Sequence, residues 1–420
     1  MKQMKSIVKD MQVFLKLWST QALSELGSSM TSFALILWAY EQSGSALMTA
    51  LLSICTYAPY VICSMFTGAM SEHWNKKKTM LLCDSIAAIS TLFVFLLYQM
   101  HTLSLGWIYL LNLINGFMNA MQQPASEVAT TLLIPKQHYQ KASALLSFSQ
   151  SLNTILTPLI ATMLFSYAGM QMVFIVDFIT FLIAFVTLMF LIKIPQLNIQ
   201  EKKETMWIRL KQGYIFLKTH TTILYLIYFL AAINLCASMY QGALPAMVLS
   251  KTSEIVLGNL NAVCGIASAV GSILAFTLPK PKSRIKVICN CLLFSMSTEN
   301  ILLAFSTNPW IWYLGGMLGW LLIPVMNANL NVLLREAIPL SMQSRVYAFR
   351  NALQFFTIPV GYLLSGILID QVLEPYMASL HKLTIFGIGK GSGAALLFAI
   401  IAVLGINICL IFRKILKAYD

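Results

Sequence analysis

One acidic residue, Glu25, lies on a polar helical face within an otherwise apolar stretch. Gln21, Glu25, Ser28 and Ser32 follow the spacing i, i+4, i+7 and i+11, which places them on one side of a helix. An ionised carboxylate inside a bilayer costs roughly 2.5 kcal/mol or more, and a neutral one costs less. Glu25 can therefore bind and release a proton, which is the chemistry of proton coupling. The alternative is a structural carboxyl bonded to Ser28 or Ser29.

Three further acids lie within apolar stretches of the chain. Asp177 and Glu299 each pair with another group or lie next to water, so both are additional candidates for proton coupling. Asp84 lies close to a basic loop, and we interpret it as structural.

The amide side chains form a second polar group with helical spacing. Asn112, Asn115 and Asn119 follow i, i+3 and i+7 and lie on one face of a helix. Such amides often only bond neighbouring helices to one another. Because several stretches carry them together with a carboxylate, we predict a shared water-filled cavity. Its predicted wall consists of Gln21, Asn112, Asn115, Asn119, Asn234 and Gln241.

The elements that position these side chains must be membrane-spanning helices. The 420 residues are 58% hydrophobic and 10% charged, whereas soluble domains carry about 25% charged residues. This composition excludes a soluble enzyme, a secreted disulfide scaffold and a disordered chain. We predict an all-α membrane protein with twelve transmembrane helices. Their approximate limits are 14–40, 45–70, 79–100, 104–123, 143–166, 171–193, 221–247, 254–278, 285–306, 309–334, 346–369 and 391–412.

The basic residues are distributed unequally between the two sides of the membrane. The chain has 28 Lys and Arg against 15 Asp and Glu. All the basic residues except Lys251, Lys382 and Lys390 fall on the side that carries both termini. Because Lys and Arg concentrate in cytoplasmic loops, we predict a bacterial cytoplasmic membrane protein with both termini in the cytoplasm. The same bias explains the net charge of +13 without a nucleic-acid partner.

The two halves of the chain resemble each other. Pro158 and Pro359 occupy corresponding places in two predicted spans, about half the chain length apart. We therefore predict two six-helix halves, 1–193 and 221–420, joined by a cytoplasmic linker at 194–220 that contains an amphipathic helix. Transporters commonly use such repeats, with a substrate site between them.

Several chemistries are not expected from this sequence. The eight cysteines lie in apolar stretches without metal-ligand spacing, so we expect no disulfide, metal or cofactor. No nucleophile–base constellation supports an enzyme. No Lys or Arg lies in the middle of a predicted span, which favours neutral or cationic lipophilic substrates over strongly anionic ones.

The connection after the second span carries a recognisable motif. Gly68, Glu72, Lys76 and Lys77 resemble the signature between helices 2 and 3 of the major facilitator superfamily, with Asn75 where that family usually has Gly. In the family, the acid of this motif pairs with a basic residue at the start of helix 11 and closes the cytoplasmic side. The resemblance thus implies a cytoplasmic gate comprising Gly68, Glu72, Lys76, Lys77, Arg345 and Arg350.

Other stretches resemble the macrolide-efflux group of drug:proton antiporters within that superfamily. They are Phe33–Leu35, Ser43–Ala46, Pro124–Ala125, Leu210–Tyr214 and Glu374–Pro375. The resemblance implies a monomeric carrier that exports small lipophilic molecules, macrolide-like or multidrug-like, in exchange for protons. Two alternatives stay open: transport of an endogenous metabolite such as a lipid or siderophore, in either direction, and a membrane sensor that no longer transports. The antiporter motif of helix 5 is reduced here to Pro158, which favours the sensor.

Overall fold

Helices account for nearly all of the described chain. The computed structural model describes residues 10–70, 75–135, 139–195, 206–279, 281–338, 340–380, 385–387 and 389–417. In chain order the α-helices are α1 (Gln12–Ser43), α2 (Ala46–Met70), α3 (Lys76–Gln99), α4 (Leu105–Leu133), α5 (Tyr139–Val186), α6 (Met206–Thr219), α7 (Thr221–Lys251), α8 (Glu254–Thr277), α9 (Arg284–Ala304), α10 (Pro309–Leu321), α11 (Ile323–Ala337), α12 (Leu340–Ile367), α13 (Glu374–Ser379) and α14 (Ser392–Lys417). Short π-helical segments, Thr187–Leu191 and Leu368–Leu373, continue α5 and α12.

The helices are long and apolar enough to account for the predicted spans. Nine stretches of the described residues have the length and hydropathy of a membrane span, and one of these, Phe148–Leu191, is 44 residues long. That stretch bends at Gly169, whose φ of 75° interrupts the helix and separates two spans. The polar helices α1 and α4 lie outside these nine and supply the other two. The prediction of a twelve-helix, all-α membrane protein is confirmed.

The helices belong to two compact units. Unit 1 consists of Met1–Ile36 and Cys55–Lys203, and unit 2 consists of Leu37–Ile54 and Glu204–Asp420. The last turns of α1 and the first turns of α2 therefore pack with unit 2, although the rest of both helices belongs to unit 1. Helix α6 lies within the predicted linker 194–220, and its Leu217 is buried while Lys218 is exposed.

Within unit 1, a glycine sets the distance between α2 and α4. A Cβ atom at Gly116 would lie 2.2 Å from the carbonyl oxygen of Thr56, so only a residue without a side chain fits there. Close backbone approach at small residues is a common way for membrane helices to pack, because lipid supplies no hydrophobic force between them. This contact fixes the position of α4, which carries Asn112, Asn115 and Asn119.

Candidate functional site

Glu25 is an exposed acid in the first half of α1. Its side chain lies on the accessible side of the helix, as do those of Ser28 and Ser32. The Asn153 side chain of α5 interacts with the Glu25 carboxyl. Asn153 is itself held in place, because its Nδ2 donates to Ser29 Oγ at 3.0 Å. Neither serine named as a possible structural partner of Glu25 serves that role: Ser28 donates to Asp177, and Ser29 accepts from Asn153.

Asp177 is sealed inside unit 1 among hydroxyl groups. Its side chain is 3% exposed. Ser28 Oγ donates to one carboxylate oxygen at 3.0 Å, and Thr31 Oγ1 donates to the other at 2.8 Å. Thr91 Oγ1 of α3 approaches the second oxygen at 3.4 Å. Helices α1, α3 and α5 thus meet at this carboxylate, and its partner Ser28 lies about one turn after Glu25 along α1.

Asp84 belongs to a second network of unit 1, built from amides. Gln21 Nε2 of α1 lies 3.4 Å from one carboxylate oxygen of Asp84, and Gln122 Nε2 of α4 donates to the other. The predicted cavity residue Gln21 is therefore engaged by a carboxylate, and Asp84 joins α1, α3 and α4.

The remaining amides predicted to line a cavity lie on two helices in different units. On α4 of unit 1, Asn112 and Asn115 are half-buried and Asn119 is exposed. The Asn115 Oδ1 atom is buried without a hydrogen-bond partner among the described residues. On α7 of unit 2, Asn234 and Gln241 are half-buried. A wall shared by these two helices stays a prediction.

Glu299 is the buried acid of unit 2. It is 4% exposed, and Trp320 Nε1 donates to its Oε1 at 3.1 Å. The buried Tyr240 hydroxyl lies beside this carboxyl without meeting hydrogen-bond geometry. A Cβ atom at Gly319 would lie within 3 Å of three Glu299 side-chain atoms, so α10 packs directly onto the acid. Of the three predicted coupling acids, only Glu25 is exposed.

The predicted cytoplasmic gate is described in part. Glu72 lies outside the described residues, as do the side chains of Gly68 and Arg345. Lys76 is buried at the first residue of α3, and Arg350 is half-buried on α12. Lys77 Nζ donates to the carbonyl oxygens of Met189 and Ile192 at 2.9 and 2.8 Å, which satisfies carbonyls at the end of the π-helical segment Thr187–Leu191. The pairing of Glu72 with an arginine stays a prediction.

Asp370 organises a second cluster, which our sequence reasoning missed. Its carboxylate accepts from the backbone N–H groups of Ala46 and Leu47 at 3.1 and 2.9 Å and from the Ser45 hydroxyl. It thereby caps the N-terminus of α2 from a residue more than 300 positions later. Elsewhere in unit 2, the Tyr40 hydroxyl of α1 donates to the Ala246 carbonyl of α7 at 2.9 Å. The available signal was an acid just beyond a predicted span, but the sequence does not show which helix end it meets.

Further carboxylates of unit 2 lie near this cluster. The segment at the start of α14 is rich in glycine and superficially resembles a phosphate-binding loop. Its Gly391 and Gly393 N–H groups donate hydrogen bonds to Glu374 Oε1 at 2.7 and 3.2 Å. A cavity of about 290 Å³ is lined in part by Glu41, Glu254 and Lys390. Burial, followed by the neighbouring Glu254, raises the pKa of Glu41 above its ordinary value.

In the part of the chain that the structure describes, the His, Cys, Asp and Glu side chains do not form a metal centre. No group of three or more His, Cys, Asp and Glu side chains there is arranged to hold a metal ion. All eight cysteines carry free thiols.

Comparison with known proteins extends over most of the chain. A family model described as Major Facilitator Superfamily matches residues 17–362. Macrolide efflux protein A of Streptococcus pyogenes is 22% identical over 374 residues, which cover 86% of this chain and 90% of that protein. Enterobactin exporter EntS of Salmonella choleraesuis (strain SC-B67) is 24% identical over 211 residues, half of each chain. A solved bacterial homologue of the iron transporter ferroportin, in an inward-facing state, aligns with a TM-score of 0.69 at 12% identity, covering 96% of this chain and 98% of that one.

Proposed function

The chain belongs to the Major Facilitator Superfamily, and from that premise we propose that it exports small lipophilic molecules in exchange for protons. Membership of this family makes it a multi-pass membrane transporter rather than an enzyme. The direction of transport is supported by relatives named as efflux proteins and exporters. Proton coupling rests on Glu25, the one exposed acid among the three predicted coupling residues.

Exposure is the property that separates Glu25 from the other two acids. A coupling carboxyl must exchange its proton with water at some stage of the cycle, and an accessible side chain can do so without local unfolding. Asp177 and Glu299 are 3% and 4% exposed and are held by hydrogen bonds inside their units. They are the next candidates if Glu25 carries no proton.

The proposed mechanism is alternating access between two six-helix halves. In this proposal residues 1–193 and 221–420 rock against each other, and the linker 194–220 lies on the inner surface of a bacterial cytoplasmic membrane. Both termini are cytoplasmic, which follows from the distribution of Lys and Arg. The protein acts as a monomer without cofactor or nucleic-acid partner.

The proposed substrate site is lined by amides rather than by charged groups. Asn115 supports this, since its Oδ1 is buried, has no hydrogen-bond partner among the described residues and can accept a hydrogen bond from a ligand. The full proposed wall is Gln21, Asn112, Asn115, Asn119, Asn234 and Gln241. Gly68, Glu72, Lys76, Lys77, Arg345 and Arg350 form the proposed cytoplasmic gate, which closes when the acid and an arginine form a charged hydrogen bond.

Dye transport into inverted membrane vesicles tests this function. The expected result is dye movement that requires an imposed proton gradient in the wild type and is lost in Glu25→Gln, which keeps the side-chain shape but cannot ionise. Ser32→Ala is the matched control, because it alters the same exposed side of α1 and removes only a hydroxyl bonded to the backbone of Ser28 at 2.9 Å. This control is expected to transport like the wild type.

Two other outcomes of that experiment would contradict either the proposed coupling residue or the proposed substrate class. Gradient-driven movement that survives in Glu25→Gln would contradict the role of Glu25 and direct attention to Asp177 and Glu299. No movement of any of several dyes would contradict broad export of lipophilic molecules.

A second candidate function is export of an endogenous metabolite such as a siderophore. The observation in its favour is the relative named as an enterobactin exporter, which matches half of this chain. Retention of a secreted iron chelator in cells that lack the protein, with unchanged dye sensitivity, would support this candidate over the first.

A further inference from the structure

The carboxylate of Asp177 on α5 is surrounded by three hydroxyl oxygens from two other helices, α1 and α3. Ser28 and Thr31 of α1 donate to its two oxygens at 3.0 and 2.8 Å, and Thr91 of α3 lies 3.4 Å from one of them. The side chain is 3% exposed, so bulk water does not solvate the group. Among the described residues, the polar side chains that meet this buried carboxylate are all alcohols.

When Asp177 is ionised, this site holds a negative charge that no cation among the described residues compensates. The groups that act on the Asp177 carboxyl among the described residues are the three hydroxyls, and none is a cation. Three O–H donors stabilise the ionised form of a carboxylate. A buried ionised carboxylate without a counter-charge is nevertheless costly, and buried charges in proteins are paired or coordinate metal ions.

The chemistry of the neighbours distinguishes Asp177 from the other intramembrane acids. Asp84 is met by the amide N–H groups of Gln21 and Gln122, and Glu299 is met by the indole N–H of Trp320. These N–H groups donate and have no lone pair to offer a cation. A hydroxyl group has one hydrogen and two lone pairs, so it can rotate and become a ligand. A hydroxyl at Asp177 needs only a rotation to become a cation ligand, whereas the glutamines at Asp84 would have to turn their amide groups around and the indole at Glu299 has no lone pair to offer.

A close approach of the α1 and α5 backbones holds this cluster together. A Cβ atom at Gly27 would lie 3.0 Å from the Cα of Asp177 and 2.3 Å from Thr180 Oγ1, so glycine lets α1 approach α5 closely. Thr180 Oγ1 in turn donates to the backbone carbonyl of Asp177 at 2.8 Å. This packing brings Ser28 and Thr31, one and four positions after the glycine, onto the carboxylate.

We propose that Asp177, Ser28, Thr31 and Thr91 bind a sodium ion inside unit 1. An all-oxygen ligand set selects a hard cation. A single carboxylate favours a monovalent ion, because a divalent one would leave an excess positive charge in the membrane. The short separations between the carboxylate and the hydroxyls favour a small ion over potassium. The site is separate from the proposed substrate wall and does not depend on which molecule is exported.

Thermal unfolding of the purified full-length protein in detergent tests the proposal. The unfolding midpoint is measured in NaCl, KCl and choline chloride at equal ionic strength and fixed pH. A ligand that binds only the folded state raises the midpoint with its concentration, so we expect a rise in NaCl that KCl and choline chloride do not reproduce. Thr31→Val removes one oxygen ligand at nearly constant shape and should weaken the apparent sodium affinity at least tenfold. Asp177→Asn should abolish the response.

Thr162→Val is the matched control for the threonine variant. Thr162 is also a buried threonine of unit 1, but its hydroxyl has no partner among the described residues and lies outside the cluster. This variant should keep the sodium response of the wild type. If Asp177→Asn does not fold, Thr31→Val and its control still decide the question.

Three results would overturn the proposal. The first is an equal unfolding midpoint in the three salts, and the second is an unchanged sodium response in Thr31→Val. The third is a midpoint that responds to pH but not to sodium and loses that response in Asp177→Asn, which would make Asp177 a proton site. Dye transport driven by a proton gradient in sodium-free vesicles is measured separately. A failure of sodium binding therefore leaves the proposed export function standing, and a failure of export leaves sodium binding to be judged by the midpoints.

Discussion

Replacing Asp370 by alanine removes the acceptor that caps the first turn of α2. The carboxylate accepts from the N–H groups of Ala46 and Leu47 and from the Ser45 hydroxyl. These backbone N–H groups belong to the four at a helix N-terminus that have no partner inside the helix. Asp370→Ala leaves them to water or to no partner at all, so we expect unit 2 to lose stability.

The size of this loss follows from the number and exposure of the bonds. Removing an N-terminal cap costs about 0.5–2 kcal/mol, and each hydrogen bond to a charged group contributes about 1.5–3 kcal/mol. Asp370 is half-buried, so water can replace part of what is lost. We therefore expect Asp370→Ala to cost about 2 kcal/mol, at the upper end of the cap range. Asp370→Asn keeps one oxygen acceptor and should cost roughly half as much.

Thermal unfolding in detergent measures this effect. For units of 150–250 residues, 1 kcal/mol corresponds to about 2–4 °C, so Asp370→Ala should lower the midpoint by about 4–8 °C. Gln371→Ala is the matched control, because Gln371 is the exposed neighbour in the same π-helical segment, and it should leave the midpoint unchanged. The reasoning is refuted if Asp370→Ala unfolds like the wild type, or if Gln371→Ala lowers the midpoint as much.

Two further substitutions test contacts elsewhere. Gly116→Ala places a Cβ atom 2.2 Å from the Thr56 carbonyl oxygen, so the unfolding midpoint should fall by the equivalent of about 1–3 kcal/mol. The control is Gly106→Ala, where the nearest atom to the added Cβ lies 3.8 Å away, and it should not lower the midpoint. Equal losses in both variants would contradict the packing argument. Burial and Glu254 raise the pKa of Glu41 above 4.5, so the folded protein holds a proton that the unfolded chain releases. Its contribution to stability therefore declines as the pH rises from 4.5 through the raised pKa. Glu41→Gln should flatten this decline in midpoints measured from acidic to neutral pH, and parallel profiles would contradict it.

Most of the helices could be predicted closely from the sequence because a long apolar stretch is typical of a membrane span. The predicted span 254–278 is observed as α8 (Glu254–Thr277), and 45–70 as α2 (Ala46–Met70). The predicted span 309–334 is instead divided at Leu322 into α10 and α11. Hydropathy is continuous across that point, so it gives no sign of the break.

The contacts of the polar residues were harder to predict, because they depend on which helices meet. Helical spacing placed Ser28 on the polar face of Glu25, yet its hydroxyl bonds Asp177, 149 residues later. Asp84 was interpreted as structural, and two glutamines from other helices engage it. Spacing along one helix shows which side chains share a face, whereas the partner across the bundle depends on close approaches such as that at Gly27.

The cap that Asp370 provides for α2 also sets an order of events during synthesis. The carboxylate and the Ala46 N–H group that it accepts are 324 residues apart. At about 5–20 residues per second, a ribosome needs roughly 16–65 s to cover that interval. During this time the start of α2 is already made, while its acceptor does not yet exist. The first turn of α2 must therefore wait with its N–H groups bonded to water, lipid headgroups or the insertion machinery, and it gains this cap only when the end of the eleventh span arrives.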